Sequence, residues 1–205
     1  MKFRNISHSS DELIRRIHFF LGKKNKLNAL WWGIKFGVNP RFDGKCYFKR
    51  YPKSMIKIGD NCEFRSRINS NLIGINRPCS ISTLTPVAKI EIGTNCGFSG
   101  TVIGAFRFIK LGNNVRCGSN TLITDSDWHL DDPRIGEPSD VIIEDNVWLG
   151  EGVKVLKGII IGKNSIIGAG SIVIKSIPAN VIAAGNPCRV LKELNTNETI
   201  MTKQF

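Results

Sequence analysis

Between Val141 and Pro187 the inward positions of the chain recur every six residues. Aliphatic side chains stand at Ile143, Leu149, Val155, Ile161, Ile167 and Val173. A second set follows each by four, at Val147, Val153, Ile159, Ser165, Ser171 and Ile177. An amphipathic helix repeats near 3.6 residues and a single strand alternates at about 2, so neither gives two inward positions per step of six. A short strand, a corner and another short strand do, and the pattern predicts a β-solenoid. Glycine often follows the first set, as at Gly150, Gly162 and Gly168.

Upstream, from Val38, the chain also reads as short strands and corners. One tetrapeptide marks the coils: Ile58-Gly59-Asp60-Asn61, Ile92-Gly93-Thr94-Asn95, Leu111-Gly112-Asn113-Asn114, Ile143-Glu144-Asp145-Asn146 and Ile161-Gly162-Lys163-Asn164. Gly and Asn suit corners because they accept left-handed backbone angles cheaply. The starts differ by 34, 19, 32 and 18 residues. For an 18-residue, three-sided coil these read as two coils less two, one plus one, one plus fourteen, and one. The fourteen extra residues lie between Ile123 and Ile143, where loop 124–140 leaves the frame.

Before the solenoid the pattern changes. Ser9-Ser10-Asp11-Glu12 has the form of a capping box, and Leu13, Ile14, Ile17, Phe20 and Leu21 follow at helical spacing, with Gly22 as a stop. A basic link and Leu27-Asn28-Ala29-Leu30-Trp31-Trp32 complete a segment, 1–37, that is expected to cap the open end of the solenoid. The solenoid then spans 38–188, and 189–205 form a tail.

Charge sharpens this division. The net charge is +12, of which residues 1–57 carry +11. With Trp31 and Trp32, that balance also suits peripheral contact with an anionic membrane surface. No recognised nucleic-acid module accompanies it, so nucleic acid is not an expected partner. No apolar run of membrane-spanning length occurs, and charges break any signal-peptide centre, so the expected location is cytoplasmic, at the inner membrane face if the basic segment binds there. The six cysteines form no CxxC pair, and Cys62, Cys96 and Cys117 fall on inward positions, as small buried hydrophobes would.

Loop 124–140 carries the candidate chemistry. His129, the only histidine outside the N-terminal segment, follows Trp128 and has acids on both sides. Long excursions from a compact fold are commonly functional. Imidazole titrates near neutrality and suits a general base, and Asp127 or Asp125 could orient it; the residues do not choose between them.

The coil pattern, the histidine loop and then Asn146-Val147-Trp148-Leu149-Gly150, Ile167-Gly168-Ala169-Gly170-Ser171 and Ala184-Gly185-Asn186-Pro187 resemble the hexapeptide-repeat acyltransferases. Within them the chain is similar to the maltose, galactoside and capsule or O-antigen sugar O-acetyltransferases, over roughly residues 40–194. The resemblance implies an all-β fold, a left-handed parallel β-helix of triangular section, whose hand departs from the usual right-handed crossover. It implies a homotrimer with active sites between subunits, acetyl-CoA as donor and a carbohydrate acceptor; no metal is expected, because no histidine stands at ligand spacing from the cysteines. It also implies that Trp148, Gly150, Glu151, Gly168 and Ala169 line the path of the acetyl and pantetheine portions. Lys175, Arg189 and Lys192 would meet the nucleotide and phosphates. Lys192 stands where arginine is common, and Ile174 replaces a frequent polar residue.

The expected activity is acetyl-CoA-dependent O-acetylation of a bacterial surface polysaccharide or its precursor, by direct attack of a hydroxyl activated by His129. The alternative is N-acetylation of an amino-sugar nucleotide, which uses the same donor and one base. A zinc-dependent γ-type carbonic anhydrase would need three histidines on neighbouring faces, and only His129 lies in the solenoid. A third alternative is a binding or scaffold protein without chemistry, which unchanged acetyl transfer in His129→Ala would favour.

Overall fold

A computed structural model describes residues 22, 24–129 and 131–194. The capping box and the apolar repeat up to Leu21 lie outside them, as do His8 and His18. Three sheets of six, eight and six strands form the faces of a three-sided solenoid. Six turns each contribute one strand to each sheet, and Val181–Ala184 and Arg189–Glu193 add two more to the second. One turn, for example, runs through Lys89–Ile92, Gly97–Ser99 and Val102–Ala105. Every rung is parallel to the next except the last, where Arg189–Glu193 folds back antiparallel onto Val181–Ala184.

The hexapeptide positions close the core. Ile143, Leu149, Val155, Ile161, Ile167 and Val173 are fully buried, and Val147, Val153, Ile159, Ser165, Ser171 and Ile177 are buried with them. The inward serines are satisfied internally: Ser165 Oγ donates to Pro178 O and Ser171 Oγ to Gly168 O. At the other end larger side chains fill the prism, with Phe42, Phe64 and Phe98 stacked at centroid spacings of 5.2 and 5.0 Å. All six cysteines are buried and unbridged. Burial pushes the Cys117 thiol up, so it packs as a neutral side chain.

The tetrapeptides form one edge, between the first and second sheets. Asn61, Asn95, Asn114, Asn146 and Asn164 all have positive φ, between 54° and 62°. Their side chains also link successive turns, Asn114 to Asn146 at 2.9 Å and Asn146 to Asn164 at 3.0 Å. Asparagine meets both needs at once: it accepts the left-handed backbone and carries a donor and an acceptor.

One part of the register differs from the expected spacing. Ile58 pairs directly with Ile92, so the 34 residues between them are one turn with a second excursion, not two turns less two. Residues 66–79 leave between the second and third sheets and include a short 3-10 turn at Ile68–Ser70. Its aliphatic residues Ile68, Leu72 and Ile73 face outward, 78%, 96% and 67% exposed. The segment is tied to the edge by Arg77 Nε donating to Gly100 O at 3.2 Å and Asn120 Nδ2 donating to Gly74 O at 3.1 Å.

Residues 24–31 are helical and pack on the first turn. Asn25 is buried there, donating from Nδ2 to Gly44 O at 2.7 Å and accepting from Cys46 N at 3.0 Å. Leu27, Leu30 and Trp31 face outward. Among the described residues no helix is long and apolar enough to cross a membrane.

Candidate active site

The expected arm is present and held firmly. It leaves the edge between the third and first sheets after the strand Leu122–Thr124 and rejoins the frame at Val141. Asp125 closes its neck. The backbone carbonyl accepts from Ser139 N at 2.9 Å, while the carboxylate accepts from Phe106 N and Arg107 N, each at 2.7 Å. Lys157 pins both limbs, donating to Asp127 Oδ2 at 2.6 Å and to Gly136 O at 3.0 Å. Arg107 ion-pairs with Asp140 at 2.7 Å beside it.

Trp128 anchors the middle of the arm. Its φ is +73°, unusual for a bulky side chain, and strain of this kind persists only where the surroundings hold it. Its indole Nε1 donates to Thr124 Oγ1 at 2.9 Å, and its ring meets Phe106 edge-on at 5.5 Å. The ring lies over Gly104, where a Cβ would sit only 2.5 Å from it. His129 comes next in the chain and is exposed. Among the described residues nothing hydrogen-bonds to its ring, leaving the imidazole open to an incoming group.

Neither candidate orienting acid reaches that ring. Asp125 is fully buried with both oxygens engaged by backbone, and burial raises its carboxyl above the ordinary range despite those bonds. Asp127 is drawn to Lys157. The acid electrostatically coupled to His129 is Asp132, whose N–H also donates to His129 O at 3.0 Å. The Arg134 guanidinium, more than His129, holds the Asp132 carboxyl down at about 2.

The expected donor-binding residues fall into two places. Trp148 projects outward from the second sheet, and Gly150, Glu151, Gly168 and Ala169 lie on the edge between the second and third sheets. Arg189 and Lys192 belong to the final strand of that same second sheet. Lys175 stands on the other edge, below the arm and one turn beyond Lys157. The glycines answer to stacking: a Cβ on Gly150 would lie 2.6 Å from Ala169 N, and one on Gly168 2.7 Å from Ala184 Cβ. The resulting wall is smooth because successive turns approach closely. His129 and this wall therefore occupy different edges of one prism, with the third sheet between them.

Three contributors are not evident from the sequence pattern. Lys157 follows Val155 by two residues, the same offset as Lys175 from Val173, and that corner register was the available signal. Phe106 and Gly104 become part of the site only because Trp128 folds back onto them. Among the described residues no group of three or more His, Cys, Asp or Glu side chains is placed to hold a metal.

Comparison with known proteins agrees with this architecture. The family model for bacterial transferase hexapeptide (six repeats) matches residues 140–175. The galactoside O-acetyltransferase of Lactococcus lactis is 37% identical over 151 residues, covering 71% of this chain and 67% of the relative. The putative lipopolysaccharide biosynthesis O-acetyl transferase WbbJ of Escherichia coli is 35% identical over 114 residues, covering 49% and 58%. In the second case the chain spans little more than half of its relative. Among solved structures, an N-acyltransferase from Bacillus cereus, AntD, in complex with dTDP-4-amino-4,6-dideoxyglucose and coenzyme A, superposes with a TM-score of 0.59. It is 18% identical, with 84% of this chain and 90% of that one covered, a likeness of fold. A three-sided parallel solenoid whose hexapeptide core is matched by the family model, and whose sequence tracks a sugar acetyltransferase across two thirds of its length, belongs to the hexapeptide-repeat acyltransferases, enzymes built on a left-handed β-helix.

Proposed function

We propose that this protein is an acetyl-CoA-dependent O-acetyltransferase acting on a sugar of a bacterial surface polysaccharide or of its precursor. The observation that carries this reading is the braced arm, which holds Trp128 over the outer face of the third sheet and presents an exposed, unengaged imidazole at the next residue, His129. His129 takes the proton of the acceptor hydroxyl as the oxygen attacks the thioester carbonyl. Collapse of the tetrahedral adduct breaks the carbon–sulfur bond and releases the coenzyme thiol, which takes up the proton held by His129. The Gly150 and Gly168 N–H groups donate to Ile167 O and Ala183 O of the next turn, so the backbone N–H groups of Glu151 and Ala169 supply the donors for the thioester oxygen and the pantetheine amides. Trp148 flanks them, and Lys175, Arg189 and Lys192 provide positive charge for the phosphates. The names of the Lactococcus and Escherichia relatives favour a hydroxyl acceptor. Steady-state assays offering matched hydroxyl and amino sugars should show acetylation of the hydroxyl; transfer to amines only would overturn the choice and favour the N-acetyl reading.

The separation of His129 from the glycine wall supports a homotrimer. Parallel prisms related by a threefold axis can set the arm edge of one copy against the wall edge of the next, completing a site that a single chain leaves divided. Light scattering should give three times the 22.8 kDa chain mass. An active monomer would remove this arrangement.

A further inference from the structure

The lysines of residues 1–57 have no role in the acetyl-transfer mechanism, yet several converge on one concave surface. A groove of about 930 Å³ runs over the outer face of the third sheet, between helix 24–31 and the base of the arm. That volume lies within the roughly 300–1,000 Å³ typical of small-molecule sites. Strand register explains its shape. Tyr47 is level with Ser80, and Lys49 is level with Ser82 and then Gly104, the glycine beneath the Trp128 ring. The floor therefore carries small side chains with hydroxyls, and aromatic residues rise around it: Trp32 from the helix side, Tyr47 from the first turn and Trp128 from the arm. Lys24, Lys45 and Lys49 also line it, and among the described residues no carboxylate does. Lys45 Nζ sits 4.9 Å from the centre of the Tyr47 ring. None of the three lysines forms an ion pair among the described residues.

We propose that this groove binds the acceptor and selects a saccharide bearing negative charge, a carboxylate or a phosphate. Each part of the surface matches a part of such a ligand. Aromatic rings take the apolar faces of pyranose rings, and Ser80 and Ser82 exchange hydrogen bonds with hydroxyls. The ammonium groups meet the acidic substituent, an interaction strengthened where both partners are charged. The groove extends as far as Trp128, the residue that precedes His129 on the arm. This inference rests on the reading of His129 as the base of a sugar acetyltransferase. It adds a charge requirement that the reading does not contain.

Calorimetric titration of the full-length protein tests it with two probe pairs: a glucuronate-containing tetrasaccharide against its carboxyl-reduced form, and glucose 1-phosphate against glucose. At low salt one charged probe should bind about tenfold or more tighter than its neutral partner, with the advantage shrinking as salt rises. The double variant Lys45→Gln/Lys49→Gln, altered only at exposed positions, should fold normally and lose that preference. A gain confined to the uronate identifies a carboxylate and one confined to the sugar phosphate a phosphate, and either upholds the proposal. Equal binding of charged and neutral probes, or a preference that survives the double substitution, overturns it. So does lysine-dependent binding to anionic phosphatidylglycerol vesicles with none to either sugar, which would instead assign the basic segment to a membrane surface. Transfer to neutral sugars without charge preference would sink the inference and spare the acetyltransferase reading. Lysine-dependent anion binding without transfer to any hydroxyl would do the reverse.

Discussion

Replacing His129 by alanine is expected to lower kcat for acetyl transfer by about a thousandfold, within the range of roughly 10²–10⁴ that a positioned general base contributes. Stability should not change with it. The ring is exposed and accepts or donates no hydrogen bond among the described residues, so its removal exposes no buried group and opens no cavity. Coenzyme affinity should also hold, because the glycine wall and the basic residues assigned to the coenzyme are untouched. Circular dichroism melting, calorimetric titration with coenzyme A and single-turnover transfer separate the three quantities. Unchanged transfer in this variant would remove His129 as the base. A loss of rate accompanied by an equal loss of coenzyme binding would make the residue a binding contact instead.

The second large effect is expected at Asp125, and it should be of the opposite kind. Asp125→Ala leaves the buried Phe106 N–H and its neighbour Arg107 N–H without their acceptors. At about 1–3 kcal/mol for each buried group left unpaired, the variant should lose about 3 kcal/mol of stability, and activity should fall because the neck of the arm is no longer fixed. Asp127→Ala, which removes only a partly exposed pair with Lys157, should cost about 1 kcal/mol or less. Chemical denaturation of the two variants makes the comparison. An Asp125 variant that keeps its stability but loses kcat would restore the carboxylate to a direct role beside the base.

Proton linkage gives these two neighbours of His129 opposite signs. Burial raises the Asp125 carboxyl, so the native chain holds that proton to higher pH than the unfolded chain. Its linked contribution is complete below the ordinary aspartate value and is lost as pH rises through the raised one. The Asp132 carboxyl, held at about 2 mainly by Arg134, contributes above the ordinary value and loses that contribution as pH falls toward 2. The pH dependence of stability in Asp125→Ala should lack the first component and keep the second.

The two excursions differ in how readily the sequence discloses them. Between Leu111 and Ile143 the remainder after one coil is fourteen residues, and the polar, acid-rich run around His129 has no place in a six-residue frame. Between Ile58 and Ile92 the spacing is close to two whole coils, so the period alone admits a second turn that the pairing of these two residues excludes. A period can be read only up to whole multiples. Which rungs stack is a matter of long-range pairing and leaves no mark in local composition. The same limit affects the acids around His129. Their proximity in sequence marked them as candidates, but backbone donors eighteen or more residues away and a lysine thirty residues away claimed both Asp125 and Asp127.

By itself, then, the sequence determined the inward frame from Val141 onward, the corners that accept asparagine, and an arm bearing one histidine. These depend on side-chain period and on the backbone angles a single residue tolerates, both local properties. The tertiary structure decided that Ile58 lies beside Ile92, that Trp128 folds back over Gly104, and that Lys45, Lys49 and Trp128 border one groove. Each of these is fixed when one turn settles on another, because only stacked turns bring residues distant along the chain within contact range.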